Sequence, residues 1–137
     1  GAQPVQFALP ARDGHTWQVG LSVCYDLRFS ELYRHYAQQG ADLLLVPSAF
    51  TYTTGQAHWE VLLRARAIES LAFVAAAAQG GVHPSGRRTW GQSVLIDPWG
   101  RVLDQRAEGA GVVCATLDYA TLQQCRSQLP ALAHRLL

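Results

Sequence analysis

The stretch TWQVGLSVCYDLRFSELYRHYAQQGADLLLV, residues 16–46, decides the fold. Its first part, TWQVGLSVC, reads as a strand that stops at Cys24. From Phe29 the period changes. Ser30 is a good N-cap, and Leu32, Tyr33, Tyr36 and Ala37 share one helical face. Gly40 is placed to end that helix. The apolar run ADLLLV then lies between Gly40 and Pro47, the pattern of a strand buried on both faces. Strand, helix, strand in that order is a βαβ unit, with parallel strands and a right-handed crossover.

Working outward, PVQFAL predicts a strand that pairs with TWQVGLSVC through the turn residues ARDG. Downstream, a helix is predicted from about Gly55 to Ser70. Trp59, Leu62, Leu63, Arg66 and Ala67 hold helical spacing, and Val61, Ala65 and Ile68 widen the apolar face. LAFVAAAAQ reads as a third buried strand, led by Phe73 and Val74 and cut short by Gly80 and Gly81. GGVHPSGRRTWG predicts a loop. QSVLID and RVLDQR flank PWG as a hairpin. GVVCATL predicts another strand, and Asp118 caps a short helix that ends near Pro130. The fold class is therefore α/β, with parallel strands in the middle and antiparallel strands toward the end.

The chain has 137 residues, 49% of them hydrophobic and 15% charged, which suits one ordered domain with a real core. Net charge is +1 and the arginines are scattered, so no nucleic-acid stripe or membrane patch is expected. No apolar run approaches a membrane span, and the N-terminal residues show no signal-peptide pattern. Cys24, Cys114 and Cys125 are too few and too widely spaced for a disulfide framework, and no CxxC or HxxxH pair offers a metal site. A reducing, cytoplasmic setting is the default expectation. All eleven Lys-or-Arg positions are arginine. With Gly1 at the approach to a strand, this suggests part of a longer polypeptide.

In a parallel sheet, sites form beyond the carboxyl ends of the strands. Cys24 lies at one such end, and PSAFTYTTG, residues 47–55, lies at the next. Glu60 is expected on the first turns of the helix that this loop feeds. A thiol, a hydroxyl-rich loop and a carboxylate would then converge on one edge. A helix start just after Cys24 would favour thiolate and would offer the Tyr25 N–H to an oxyanion. Bland readings stand beside this one. A free cysteine is most often a buried hydrophobe. Cys114, between Val113 and Ala115, reads as core, and Cys125 has no partner. Glu60 alone reads as a solvated carboxylate, and His58 beside Trp59 as structural. Arg28 reads as bracing the turn through Asp26 or Glu31.

CYDLRFSEL followed by PSAFTYTTGQAHWEVLLRARAIES resembles the nitrilase superfamily, the carbon–nitrogen hydrolases, and AAAAQGG and WGQSVLIDPWGRVL continue the likeness in the same order. The resemblance covers nearly the whole chain. Within the superfamily it points to the Nit branch, whose members act on deaminated glutathione or on ω-amides of 2-oxo acids. The AHWEVLLRARAIE segment leans toward the former type. What it implies is an α-β-β-α sandwich of which this chain is the C-terminal half, its mixed sheet carrying helices on one face. It also implies a cysteine nucleophile at Cys24, an oxyanion-hole N–H on Tyr25, a supporting acidic residue at Glu60, and a substrate-lining loop at Ala49, Phe50 and Thr54. No metal or organic cofactor is implied. The implied partners are a small amide substrate and a second copy of the chain.

The departures are informative. The family triad joins the cysteine to a glutamate and a lysine that lie upstream of it, and residues 1–23 contain neither. Residues 1–137 are therefore expected to be a partial domain, weakly active or inactive alone, with an apolar face left open and a tendency to associate. Ser30 stands where the family usually has proline, and both residues start helices well. ARDGHTW is longer than the family's usual turn. The leading expectation is amide hydrolysis through a cysteine thioester in the complete protein. The rivals are a non-catalytic remnant or binding module of the same fold, and a cysteine–histidine hydrolase using Cys24 and His58.

Overall fold

The computed structural model describes residues 3–136. Strands β1 (Val5–Pro10) and β2 (Thr16–Leu21) are followed by a 3₁₀ turn (Cys24–Arg28), α1 (Ser30–Gln38), β3 (Leu43–Leu45), α2 (Tyr52–Ser70) and β4 (Phe73–Ala76). Then come β5 (Gly80–Val82), β6 (Arg88–Trp90), β7 (Ser93–Ile96), β8 (Val102–Arg106) and α3 (Tyr119–Gln128). The main sheet has the order β1-β2-β3-β4-β7-β8. Strands β2, β3 and β4 run parallel, and the pairs β1–β2, β4–β7 and β7–β8 are antiparallel. The expected hairpins and the βαβ unit are all present.

Alternation along the strands sorts the core into two layers. Leu44, Val46, Val74, Ala76, Val94 and Ile96 pack against Tyr33, Tyr36, Trp59, Leu63 and Ala67 of α1 and α2. Trp17, Val19, Leu43 and Phe73 face the other way and meet Leu122 of α3. The alanine-rich run resolves as a strand, with Ala76 in the layer beneath α2 and Ala75 against the other. On the α3 side, Val5, Phe7 and Leu9 of β1 stand opposite Leu21, Val19 and Trp17. Val5, Phe7, Leu9 and Leu21 remain exposed.

The local signals mostly act as expected. Gly14 (φ +87) closes the β1–β2 turn, and Gly40 (φ +75) ends α1. Asp118 caps α3 by accepting from the N–H groups of Ala120 and Thr121. Four details differ. Ser30 is the first helical residue and not the cap, because the 3₁₀ turn runs to Arg28 and the Phe29 N–H is taken by the Asp26 carbonyl. Helix α2 begins at Tyr52, since the Thr51 carbonyl already accepts the Gly55 N–H at 2.8 Å. The segment 80–90, expected as a loop, is the short β5–β6 hairpin, whose two strands pair only with each other in a sheet of their own. The segment 111–117 is not a strand. It runs past β8, where the Cys114 N–H is taken by the Asp104 carboxylate and no ladder forms. Cys114 is accordingly exposed and not in the core.

Two tyrosines tie α1 to the strand ends. Tyr33 OH meets Ser22 Oγ at 2.8 Å, and Ser22 Oγ donates to the Leu45 carbonyl at 2.9 Å. Tyr36 OH accepts from the Val5 N–H and donates to the Leu21 carbonyl. Burial pushes the Tyr33 hydroxyl from its ordinary 10 up to about 12, offset in part by the Ser22 hydrogen bond and the nearby Arg66. Folded chains therefore keep a proton that unfolded chains lose, and this contribution is complete below pH 10 and lost as pH climbs toward 12. Unfolding free energies from urea titrations should fall across that window by up to about 1.4 kcal/mol per pH unit from this group, and Tyr33→Phe should flatten the slope.

Candidate active site

The parallel ladder does not stop where β2 ends. Ser22 N–H donates to Leu45 O at 3.0 Å, and Cys24 N–H donates to Pro47 O at 2.9 Å. These bonds carry the chain out to Cys24, which adopts a left-handed conformation with φ +49. L residues avoid that region, at a cost of about 1–3 kcal/mol, so the surroundings must impose it. Cys24 heads the 3₁₀ turn, and α1 starts only at Ser30. Among the described residues, the Tyr25 N–H has no hydrogen-bond partner.

The turn is held from two sides. The Asp26 carboxylate accepts the Val23 N–H at 2.8 Å, and the Asp26 N–H returns to Val23 O at 3.0 Å. On the inner side Leu27 is fully buried. Its carbonyl accepts Nε and a terminal nitrogen of Arg66 at 3.1 and 2.8 Å. Arg66 is itself buried, pairs with Glu69 at 2.8 Å and lies over the Tyr33 ring at 5.2 Å. Arg28 does not brace the turn through Asp26 or Glu31. Its guanidinium donates to His58 Nδ1 at 3.3 Å and stands over the rings of Phe50 and Tyr25 at 5.2 and 5.6 Å.

Five of the six residues singled out from sequence border one cavity of about 230 Å³: Cys24, Tyr25, Ala49, Phe50 and Thr54. Arg28, Thr51 and Arg87 complete its wall. Phe50 is wedged against Trp59, centroids 4.9 Å apart, and the Thr51 and Thr54 hydroxyls lie 2.7 Å apart. Glu60 is not brought to this cavity. It lies well into α2, about 12 Å along the axis from Tyr52, and pairs with Arg64 at 3.2 Å. Arg64 in turn donates to Gly100 O at 2.8 Å, which ties α2 to the β7–β8 turn. His58 is exposed and lies outside the cavity wall. Its Nδ1 accepts from Arg28, which leaves the ring proton on Nε2.

Arg87 and Thr51 were missed in sequence. Arg87 sits in a segment that reads as a loop, and its only signal is the paired arginine before TWG. A larger apolar concavity, about 450 Å³, lies where Val112 and Val113 approach Leu45, Ala75 and Leu95. Its lining includes Ser93 but no thiol or charged side chain, so the smaller cavity is the candidate site. Among the described residues no cluster of three His, Cys, Asp or Glu could hold a metal ion, and no helix is long and apolar enough to cross a membrane.

A mixed sheet that presents a strained cysteine and a spare backbone N–H beside a small cavity is an arrangement that suits cysteine chemistry. The chain belongs to the carbon-nitrogen hydrolase family, which it matches over residues 4–127. The deaminated glutathione amidase of Synechocystis sp. is 51% identical over 117 residues, which are 85% of this chain and 43% of that protein. The NitFhit protein of C. elegans superposes with a TM-score of 0.84 at 47% identity, over 87% of this chain and 29% of that one. An amidase variant from Nesterenkonia sp. AN1, solved with acrylamide added to its active site cysteine, superposes at 0.72 with 33% identity, over 96% and 49%. The chain thus spans less than half the length of these relatives.

Two substitutions test how the site is supported. Arg66→Met leaves the Leu27 carbonyl and Glu69 without their partner, and should lower unfolding free energy by about 2–4 kcal/mol in urea titrations. A Cβ on Gly55 would sit 2.2 Å from Trp90 Cβ. Gly55→Ala should therefore cost about 1–3 kcal/mol and speed hydrogen exchange at the Trp90 N–H, which bonds Phe50 O where the hairpin meets the cavity wall.

Proposed function

We propose that this chain carries the nucleophile of an amidase that hydrolyses a small linear amide to acid and ammonia, with deaminated glutathione or an ω-amide of a 2-oxo acid as substrate. The observation that carries the reading is Cys24 itself. A non-glycine residue in the left-handed region, opening on a cavity beside an unpartnered N–H, fits a nucleophile elbow. Names of relatives point the same way, since both a deaminated glutathione amidase and an amidase that added acrylamide at its active site cysteine are similar to this chain. Cys125 is buried on α3 and Cys114 is exposed beside β8, so Cys24 is the one cysteine on the cavity wall.

In this mechanism the Cys24 thiolate attacks the amide carbonyl, and the Tyr25 N–H receives the developing oxyanion. The tetrahedral intermediate collapses to a thioester as ammonia leaves with a proton from the general acid. Water then attacks the thioester and releases the carboxylic acid and the thiol. The step needs a base next to the sulfur. No carboxylate or lysine lines the cavity, so we place the base and a second oxyanion donor outside residues 1–137, as the triad glutamate and lysine of the family would be. Glu60 remains a candidate for the supporting acid only if its pair with Arg64 opens. The exposed apolar strip of β1 and Leu21 would be covered in the working enzyme, where self-association is expected. Three free cysteines suit a reducing compartment such as the cytoplasm.

The cavity's lack of a base also favours a second reading, a binding module of the same fold without catalysis. Ammonia release and intact mass separate the two. With the flanking segments present, deaminated glutathione or a 2-oxo-acid amide should be turned over, a trapped acyl adduct should map to Cys24, and Cys24→Ala should lose at least about 10³-fold in kcat. Binding without turnover or adduct across these amides would support the module instead.

A further inference from the structure

We propose that Arg87, delivered to the cavity by the β5–β6 hairpin, is the anchor for a carboxylate at the far end of the substrate. The anchor rests on the amidase reading for its reaction, and on the following geometry for itself.

Among the described residues, Arg64, Arg66, Arg101 and Arg126 each pair with a carboxylate, whereas Arg12, Arg34, Arg88 and Arg106 pair with none, and neither do Arg28 and Arg87. Of these unneutralised arginines, Arg28 and Arg87 border the Cys24 cavity, and no acidic side chain does. Two positive charges beside a cavity of about 230 Å³ make it a place for a small anion. The two are not equivalent. Arg28 is engaged by His58 and lies over two aromatic rings. Arg87 spends one donor on Ala49 O at 3.2 Å and keeps the rest of its fork. A planar guanidinium held this way matches a carboxylate through two parallel hydrogen bonds.

The hairpin that carries Arg87 is seated, which fixes the anchor before ligand arrives. Trp90 N–H bonds Phe50 O at 3.0 Å, Thr51 bridges Thr89, and His83 Nε2 meets Thr89 Oγ1 at 2.7 Å. The neighbouring Arg88 lies over the Tyr52 ring at 3.5 Å and is not part of the cavity wall. Adjacent arginines therefore do different things. One stacks on α2 and the other faces the site, which separates a local anchor from a general positive field.

The test uses the full-length polypeptide and two amides of matched length, glutaramate with a terminal carboxylate and pentanamide without one. The kcat/KM ratio of glutaramate to pentanamide should fall about 10–100-fold in Arg87→Gln, fall less in Arg87→Lys, and hold in Arg88→Gln. A ratio unmoved by Arg87→Gln, or moved as far by Arg88→Gln, overturns the anchor. Calorimetry in a Cys24→Ala background reads the anchor without chemistry. Glutarate should bind, and Arg87→Gln should weaken it by a similar factor. If glutarate binds through Arg87 while no amide is hydrolysed, the anchor stands and the amidase reading falls. Absence of glutarate binding, binding indifferent to Arg87, or binding of inorganic phosphate in its place overturns the anchor whatever the turnover shows.

Discussion

One hydrogen bond, from the Cys24 N–H to the Pro47 carbonyl at 2.9 Å, sets the position of everything else at the site. It continues the parallel β2–β3 ladder beyond the last paired residues of either strand. The β3–β4 ladder is extended in the same way, by Ser48 N–H to Ala77 O and Gln79 N–H to Ser48 O. Backbone pairing thus reaches past the sheet proper and fixes the loop after β3 against both neighbours. A loop so held can present Ala49, Phe50 and Thr51 at defined places, and it forces the turn at Cys24 into a conformation that an unconstrained chain would leave.

That constraint holds only while the helices stay in place, and buried polar groups hold them. Arg66 reaches from α2 to the Leu27 carbonyl, and Tyr33 and Tyr36 reach from α1 to the strand ends. On the other side, Arg126 of α3 donates to the Asp42 carboxylate at 2.9 Å, to Ala41 O and to Leu71 O. Asp42 also accepts the Gln18 N–H, and His15 stacks on Tyr119 beside it. His15 apart, whose Nε2 is buried without a hydrogen-bond partner, each of these groups is buried or half-buried and hydrogen-bonded, so each ties one element to one carbonyl or carboxylate with little freedom to slip. The apolar layers supply most of the burial, and the polar ties supply the register.

The two faces of the sheet are finished to different degrees. Helices α1 and α2 cover one face, while α3 covers only part of the other and leaves Val5, Phe7, Leu9 and Leu21 in contact with solvent. A strip of that kind along an edge strand is a surface made to be covered. The chain spans less than half the length of the Synechocystis amidase and the C. elegans NitFhit protein. The cavity wall holds the Cys24 thiol and the two arginines, Arg28 and Arg87, but no carboxylate or lysine.

The βαβ unit, the long α2, both sheet hairpins and the Asp118 cap were legible because each depends on neighbours within a few residues. Period 2 or 3.6 in the side chains, glycine at positive φ and a capping carboxylate are local physics. Cys24, Tyr25, Ala49, Phe50 and Thr54 were legible for a related reason, since strand ends in a parallel sheet must lie together. GVVCATL misled because apolar alternation reports a face to bury and says nothing about whether a ladder is free to pair. Glu60 does not line the cavity, because distance along the helix axis, not closeness in sequence, separates it from the loop. Arg28 and Arg87 were decided only by tertiary structure. A guanidinium can pair with any carboxylate within reach, and which carboxylates are out of reach is known only once the hairpin, the turn and α2 are packed.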